Sequence, residues 1–281
     1  MITYFNGNYL PLEDVRISPF DRGFQFADGV YEALITYNGK LFLYNEHIER
    51  LKRSLKEINL AYSGINNLEE IIYELIKRNN IKEASVYLQI TRGASYPRKH
   101  IFPGPDVQPT VFVTVSEVSP SDSAQVPGVK VILENDYRWD RCDIKSLMLL
   151  PAAMAQQKAH SNGAYEAIWV RDGLLKEGSH TNFFMVRDGA VFTPPLSNTI
   201  LPGITRQYIL SLCRANNIEV YEEEINISGL DDFEEFFVTG TTTEIKPVIQ
   251  VEDVKIGDGK PGKITLKIRE LFEDDKNRVK L

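Results

Sequence analysis

The sequence predicts an α+β protein of two domains, a smaller N-terminal one over residues 1–118 and a larger C-terminal one over 126–281. Three observations predict it. The chain has 281 residues, enough for two modest domains and for a substantial core without disulfides or structural metal. Hairpin-like strand pairs and amphipathic helices are mixed along it. Between them, Ser119-Pro120-Ser121-Asp122-Ser123-Ala124-Gln125 has the composition of a linker, over 119–125.

The elements follow in order. Tyr4 to Leu10 reads as a small hairpin turning at Asn6-Gly7. Tyr31 to Tyr37, then Asn38-Gly39, then Lys40 to Tyr44 reads as a clearer one. Asn45 reads as the N-cap of a helix through Leu60, with Ile48, Leu51 and Leu55 on its apolar stripe. Asn67 starts a second helix whose Leu68, Ile71, Ile72 and Leu75 face inward. Strands are expected over Ala84 to Thr91 and Thr110 to Val118. Beyond the linker come a strand from Val129 to Leu133 and a helix opened by Pro151 and closed near Gly163. Hairpins turn at Asp172-Gly173 and Asp188-Gly189. A helix spans about Gly203 to Ala215, strands lie near Glu219 to Glu223 and Glu235 to Thr239, and a last helix begins near Pro261.

Composition narrows the function classes. A net charge of -7 argues against a general nucleic-acid or anionic-membrane surface. Cys142 and Cys213 make neither a disulfide framework nor a metal-ligand spacing. No apolar run is long enough to span a bilayer, and Met1 to Leu10 carries no export signal. A cytoplasmic protein is the expectation.

Several residues form the parts list of a pyridoxal phosphate site. Such a site needs an amine for the aldehyde, a carboxylate for the pyridine nitrogen and N–H groups for the phosphate. Lys145 stands between apolar segments and supplies a candidate amine. Glu177 ends a strand and supplies a candidate carboxylate. Taken singly, each also reads as a solvated surface residue. Leu201-Pro202-Gly203-Ile204-Thr205-Arg206 opens a helix, where N–H groups and dipole favour an anion. Thr239-Gly240-Thr241-Thr242-Thr243 has the small residues of an anion nest. Ordinary capping and an ordinary turn explain these two equally. Arg50 on the first helix adds either a fixed charge or a solvated face. Arg98 and His100, at i and i+2 on extended chain, point to one side and suit a carboxylate. Tyr31 could donate a hydroxyl to the same ligand. His47 and His160 read as surface helix residues, and no histidine has a metal-like partnership.

The constellation resembles the class IV (fold type IV) pyridoxal phosphate aminotransferases, and within them the bacterial D-amino-acid enzymes. The matching stretches run in family order over nearly the whole chain. They are Asp21-Arg22-Gly23, Asp28 to Glu32, Asn45-Glu46-His47 with Arg50-Leu51, Thr91-Arg92-Gly93, Pro97 to His100, Trp139 to Ser146, Glu177-Gly178-Ser179, Gly203 to Arg206 and Thr241 to Ile245.

The resemblance implies a D-amino-acid transaminase with a β-barrel-like core in its larger domain. It implies that Lys145 forms the Schiff base and shuttles the substrate proton, and that Glu177 pairs with the pyridine nitrogen. Arg50, Ile204, Thr205 and Thr241 would hold the phosphate. Tyr31, Arg98 and His100 would trap the substrate carboxylate, the last two reaching across a homodimer. Two departures stand out: Gly240 where serine is usual, and His180-Thr181 where small serines follow Glu-Gly-Ser. Sister activities keep Lys145 and Glu177: branched-chain L-amino-acid aminotransferase, aminodeoxychorismate lyase and (R)-amine transaminase. A non-catalytic vitamer-binding protein is the rival of another class.

Overall fold

The computed structural model describes residues 1–118 and 127–278. The chain divides into two compact units, the first built from residues 1–118 with Ile144–Met148, the second from 127–143 with Leu149–Arg278. The expected linker at 119–125 lies outside the described residues.

The first unit contains β1 (Ile2–Phe5), β2 (Asn8–Pro11), α1 (Arg22–Phe26), β3 (Gly29–Tyr37), β4 (Lys40–Leu41), α2 (Tyr44–Glu57), α3 (Leu68–Arg78), β5 (Ala84–Thr91) and β6 (Thr110–Glu117). Its strands form one antiparallel sheet in the order β2-β1-β6-β5-β3-β4. The Asn6-Gly7 and Asn38-Gly39 turns both have positive φ at the two central residues, the geometry that matches strand twist in a two-residue hairpin. Leu51 and Leu55 of α2 and Leu68, Ile72 and Leu75 of α3 are buried with Val86, Leu88 and Val113 of the sheet. Each such side chain stabilises the unit by about 1.5–3 kcal/mol.

Three expectations shift here. The strand after Asn38-Gly39 stops at Leu41, because Leu43 takes a left-handed conformation and α2 starts at Tyr44. Asn45 is therefore inside α2 and caps nothing. The helix ends at Glu57, not Leu60: left-handed Asn59 turns the chain so that the Leu60 N–H bonds back to the Leu55 carbonyl, and Leu60 is still buried. A short 3-10 turn, Ser63–Asn67, leads into α3.

The second unit contains β7 (Val129–Asn135), α4 (Leu150–Ser161), β8 (Glu166–Arg171), β9 (Leu174–Gly178), β10 (Asn182–Arg187), β11 (Ala190–Thr193), α5 (Ile204–Ala215), β12 (Val220–Glu222), β13 (Glu235–Gly240), β14 (Glu244–Val251), β15 (Val254–Lys255) and α6 (Lys263–Arg278). Its sheet runs β12-β11-β10-β13-β14-β7-β8-β9, with β15 on β14. The β14–β7, β7–β8 and β11–β12 pairs are parallel and the rest antiparallel. The sheet curls as a half-barrel: β9, at its far end, returns to β10 through residues 179–181, tied by Gly178 N–H to Thr181 carbonyl. Phe183, Phe236, Val238, Met185 and Val131 fill it. Strand β14 escaped the sequence reading because Pro247 interrupts it; in the sheet Pro247 pairs opposite Phe237.

Candidate active site

In the first unit, Ile144–Met148 lies beside β3. Tyr31 N–H donates to the Lys145 carbonyl (3.0 Å) and Leu147 N–H to the Gly29 carbonyl (3.1 Å). A side chain at Gly29 would put a Cβ 2.6 Å from the Ile90 carbonyl oxygen and 2.8 Å from a Leu147 methyl, so only glycine permits this approach. From the α2 side, Ser54 Oγ accepts the Lys145 N–H at 3.3 Å. The lysine's backbone is thus held from two elements. Its Nζ lies 3.3 Å from the Tyr31 hydroxyl and 4.3 Å from the centre of that ring. Among the described residues it has no carboxylate partner.

Beside Tyr31 is a buried ionic group. Glu32 is fully buried on the inward face of β3, with Val30 and Leu34 on the same face. Its carboxylate accepts Arg50 Nε and Nη2, each at 2.8 Å, and lies 2.8 Å from His47 Nδ1. Burial alone would push the Glu32 carboxyl up; Arg50 and His47 outweigh this and hold it at about 2. Burial pushes the His47 ring down, although Glu32 opposes it. The ring is therefore neutral near pH 7 and donates from Nδ1.

His47 was expected on the surface, and the structure corrects this: it is buried, because the inward acid of β3 needs donors from the facing helix. Arg50 is buried too, which removes the solvated-face alternative.

Arg98 and His100 come together on one aromatic ring. The Arg98 guanidinium lies 4.1 Å from the centre of Phe26, and the His100 ring centre is 5.3 Å from it. Both side chains are exposed. Among the described residues no contact joins either of them to Tyr31 of the same chain.

In the second unit, Glu177 is buried near the end of β9. One carboxylate oxygen accepts Arg138 Nη1 at 2.7 Å. The other accepts Asn182 Nδ2 at 3.1 Å and the Leu201 N–H at 3.0 Å. Arg138 is itself gripped by Asp136 (Nε to Oδ1, 2.9 Å) and by the Thr199 carbonyl. Burial disfavours its charge, yet Asp136 and Glu177 raise its pKa overall. The chain between β9 and β10 is fixed by a second buried acid, Glu166, which accepts the N–H groups of His180 (2.7 Å) and Thr181 (3.1 Å) and the Thr181 hydroxyl (2.6 Å). His180 points outward, with Nδ1 3.0 Å from Glu166.

Gly203 precedes α5 with no side-chain cap on that helix. A Cβ there would fall 1.9 Å from Asn182 Oδ1, so the glycine admits the asparagine that holds Glu177. Ile204 and Thr205 are buried in the first turn. Asn182 pairs in register with Thr239, whose buried hydroxyl has no hydrogen-bond partner. Thr241 is half-buried in the following turn. At Gly240 a Cβ would meet its neighbours only at 3.5 Å or more, so the backbone does not impose glycine. Ile204, Thr205 and Thr241 therefore sit on uncapped or turning backbone, a donor set suited to an anion.

Glu32, Arg138 and Asn182 were not singled out from sequence as site residues. An acid in the alternation Val30, Glu32, Leu34 was the available signal for the first. Nothing local marks Arg138, which finds its partner 39 positions away.

Known proteins resemble the chain over most of its length. Residues 29–251 match the Amino-transferase class IV family. The chain is 40% identical over 273 residues to a D-alanine aminotransferase of Listeria monocytogenes, covering 96% of this chain and 94% of that one. Among solved structures it resembles the Escherichia coli branched-chain amino acid aminotransferase, with TM-score 0.89 and 26% identity over 97% of this chain and 93% of that one. It also resembles the T.th. branched-chain amino acid aminotransferase solved with pyridoxamine 5'-phosphate, with TM-score 0.88 and 26% identity over 98% of this chain and 93% of the other. A match over most of the chain and a relative at this identity over nearly its full length lead to one conclusion: the chain belongs to the class IV aminotransferases.

Proposed function

We propose that this chain is a pyridoxal phosphate-dependent transaminase of D-amino acids, with D-alanine and 2-oxoglutarate as a substrate pair. The observation that carries the reading is the half-buried Lys145, whose Nζ has a tyrosine hydroxyl but, among the described residues, no carboxylate beside it. Such an amine is available to condense with a carbonyl. The preference for D-substrates rests on the identity to D-alanine aminotransferases and on the Arg98-Lys99-His100 run.

The residues suit the cofactor. Among the described residues the Thr239 hydroxyl has no hydrogen-bond partner and no side chain caps the start of α5, while Glu177 is a carboxylate held by Arg138, Asn182 and the Leu201 N–H. When bound, pyridoxal phosphate supplies a ring that withdraws electrons from the substrate Cα. Lys145 would hold it covalently, then move the proton at Cα as general base and acid. Tyr31, by its hydroxyl, would orient that amine. Glu177 would hold a proton on the ring nitrogen, and Arg138, Asn182 and the Leu201 N–H would keep its carboxylate from turning away. Ile204, Thr205 and Thr241 would bind the phosphate, together with Arg50, whose guanidinium Glu32 fixes in plane. Arg98, His100 and Tyr31 would take the substrate carboxylate and so decide which Cα–H faces the lysine.

The working form we propose is a homodimer, in which Arg98 and His100 serve the partner's substrate. Phe24, Tyr96, Ile101 and Phe102 are exposed apolar side chains around that loop, a surface that a second copy would cover. The cytoplasm is the proposed compartment, on the two free cysteines. Among the described residues no helix is long and apolar enough to cross a membrane.

The test is a pair of assays on the purified, cofactor-loaded protein. Pyruvate should form from D-alanine with 2-oxoglutarate, and not from L-alanine. Turnover of L-leucine with no turnover of D-alanine would overturn the D-specific reading in favour of the branched-chain one, which the fold match to the Escherichia coli enzyme supports.

A further inference from the structure

Arg22 is a buried guanidinium in the first unit that plays no part in the roles assigned above. Its Nη1 donates to the Lys99 carbonyl at 2.7 Å and, more weakly, to that of Ile101 at 3.5 Å. Its Nη2 donates to the His100 carbonyl at 3.3 Å. Three successive carbonyls of the Arg98–His100 loop and its continuation thus converge on one side chain. The guanidinium also lies 4.7 Å from the centre of the Phe26 ring, the ring that carries Arg98 and His100. Phe26 and Arg22 are the two ends of the single-turn helix α1.

The other end of the loop is tied to the same segment by backbone. Arg22 N–H donates to the Gly93 carbonyl at 2.9 Å, and Ser95 N–H to the Phe20 carbonyl at 3.1 Å. Asp28 fixes the Arg22 head from behind, accepting its Nε at 2.7 Å and Arg92 Nε at 2.8 Å. Arg92 in turn donates to the Ile58 and Asn59 carbonyls. An exposed loop between residues 95 and 101 would ordinarily sample many conformations. Here it is pinned by a buried cation that is itself ion-paired.

We propose that Arg22 is a positioning residue for substrate binding: it sets the backbone of Lys99 and His100 so that Arg98 and His100 present their donors together, with Phe26 as the platform for both. This rests on the reading that Arg98 and His100 receive the carboxylate. Arg22 touches neither substrate nor cofactor. Its loss acts on carboxylate affinity and leaves the proton transfer at Lys145 alone.

The experiment compares Arg22→Lys, Arg22→Ala, Arg98→Ala and the double variant Arg22→Lys/Arg98→Ala, all as loaded enzyme. Lysine keeps the ion pair with Asp28 but cannot fork to two carbonyls. Arg22→Lys should raise KM for D-alanine and for 2-oxoglutarate together, each by about tenfold, with kcat at saturation changed less than about twofold. The double variant should exceed Arg98→Ala in KM by clearly less than the factor that Arg22→Lys alone produces, since only the part that acts through His100 is left. Added guanidinium ion should lower the raised KM of Arg22→Ala. A merely structural role predicts the opposite set: kcat and cofactor content fall with KM, effects multiply in the double variant, and guanidinium does not rescue. That set, or an unchanged KM in Arg22→Lys, overturns the inference. If Arg98→Ala itself leaves KM unchanged, the carboxylate reading fails first. If only the Arg22 variants leave it unchanged, this inference fails alone. Should Arg22→Ala not fold, Arg22→Lys and the double variant decide.

Discussion

Replacing Glu32 with glutamine tests the electrostatic frame around the candidate site. The carboxylate is completely buried and faces two nitrogens of the Arg50 guanidinium and the His47 ring. Removing one partner of a buried ion pair leaves the other charge uncompensated, at a cost of about 3–5 kcal/mol. The acid's own titration gives a similar figure. It is held at about 2 against an ordinary 4.5. That difference of about 2.5 pH units is worth roughly 3 kcal/mol at about 1.4 kcal/mol per unit.

Because the folded value lies below the unfolded one, this stabilisation is fully present above pH about 4.5 and is lost as pH falls toward about 2. His47, also lowered in the fold, loses stability on acidification in the same sense, starting below its ordinary 6.5. Comparing Glu32→Gln with the parent chain at each pH isolates the acid. Unfolding followed by circular dichroism, with cofactor fixed in excess, should show Glu32→Gln less stable by about 3–5 kcal/mol at pH 7, a drop in Tm of roughly 10 °C. By pH 3 the gap should have narrowed by about 2 kcal/mol. A gap below about 1 kcal/mol at pH 7, or one that does not narrow by pH 3, would refute the reasoning.

Two glycines give contrasting expectations. Gly203→Ala places a methyl 1.9 Å from Asn182 Oδ1 and must displace the asparagine from Glu177. Unfolding should be easier by about 1–3 kcal/mol and equilibrium dialysis should show weaker cofactor retention; no change in either would mean that Asn182 does not hold the acid. Gly240→Ser meets only ordinary contacts at 3.5 Å. Its stability should stay within about 0.5 kcal/mol of the parent, and a larger loss would show that this turn needs glycine after all.

Local chemistry was readable where it is governed by neighbours along the chain. The four Asx-Gly hairpins at residues 6, 38, 172 and 188 were, because each turn needs positive φ at both central positions and only these residue types supply it cheaply. The apolar stripes of α2 and α3 were, because helical period and burial coincide. Caps were read less well: Asn45 resembles a cap but lies inside α2. The mixed half-barrel came from family resemblance, since parallel pairings such as β14 with β7 join residues more than 115 positions apart.

At the candidate site, Lys145 and Glu177 stood out only through their company. What sequence could not give was the environment of each. His47 looked like any polar helix residue until Glu32 was placed opposite it, and nothing along the chain marks Arg22 as the partner of the carbonyls of residues 99–101. Buried polar groups depend on partners that only the fold brings near.

The central claim is a covalent bond at Lys145, and hydride reduction of the purified, loaded protein followed by peptide mass spectrometry tests it most directly. The account predicts a pyridoxyl phosphate adduct on the peptide spanning Cys142 to Ser146, located at Lys145 and absent from Lys145→Ala. An adduct on a different lysine, such as Lys176 or Lys158, or no adduct in a protein that still transaminates, would contradict it.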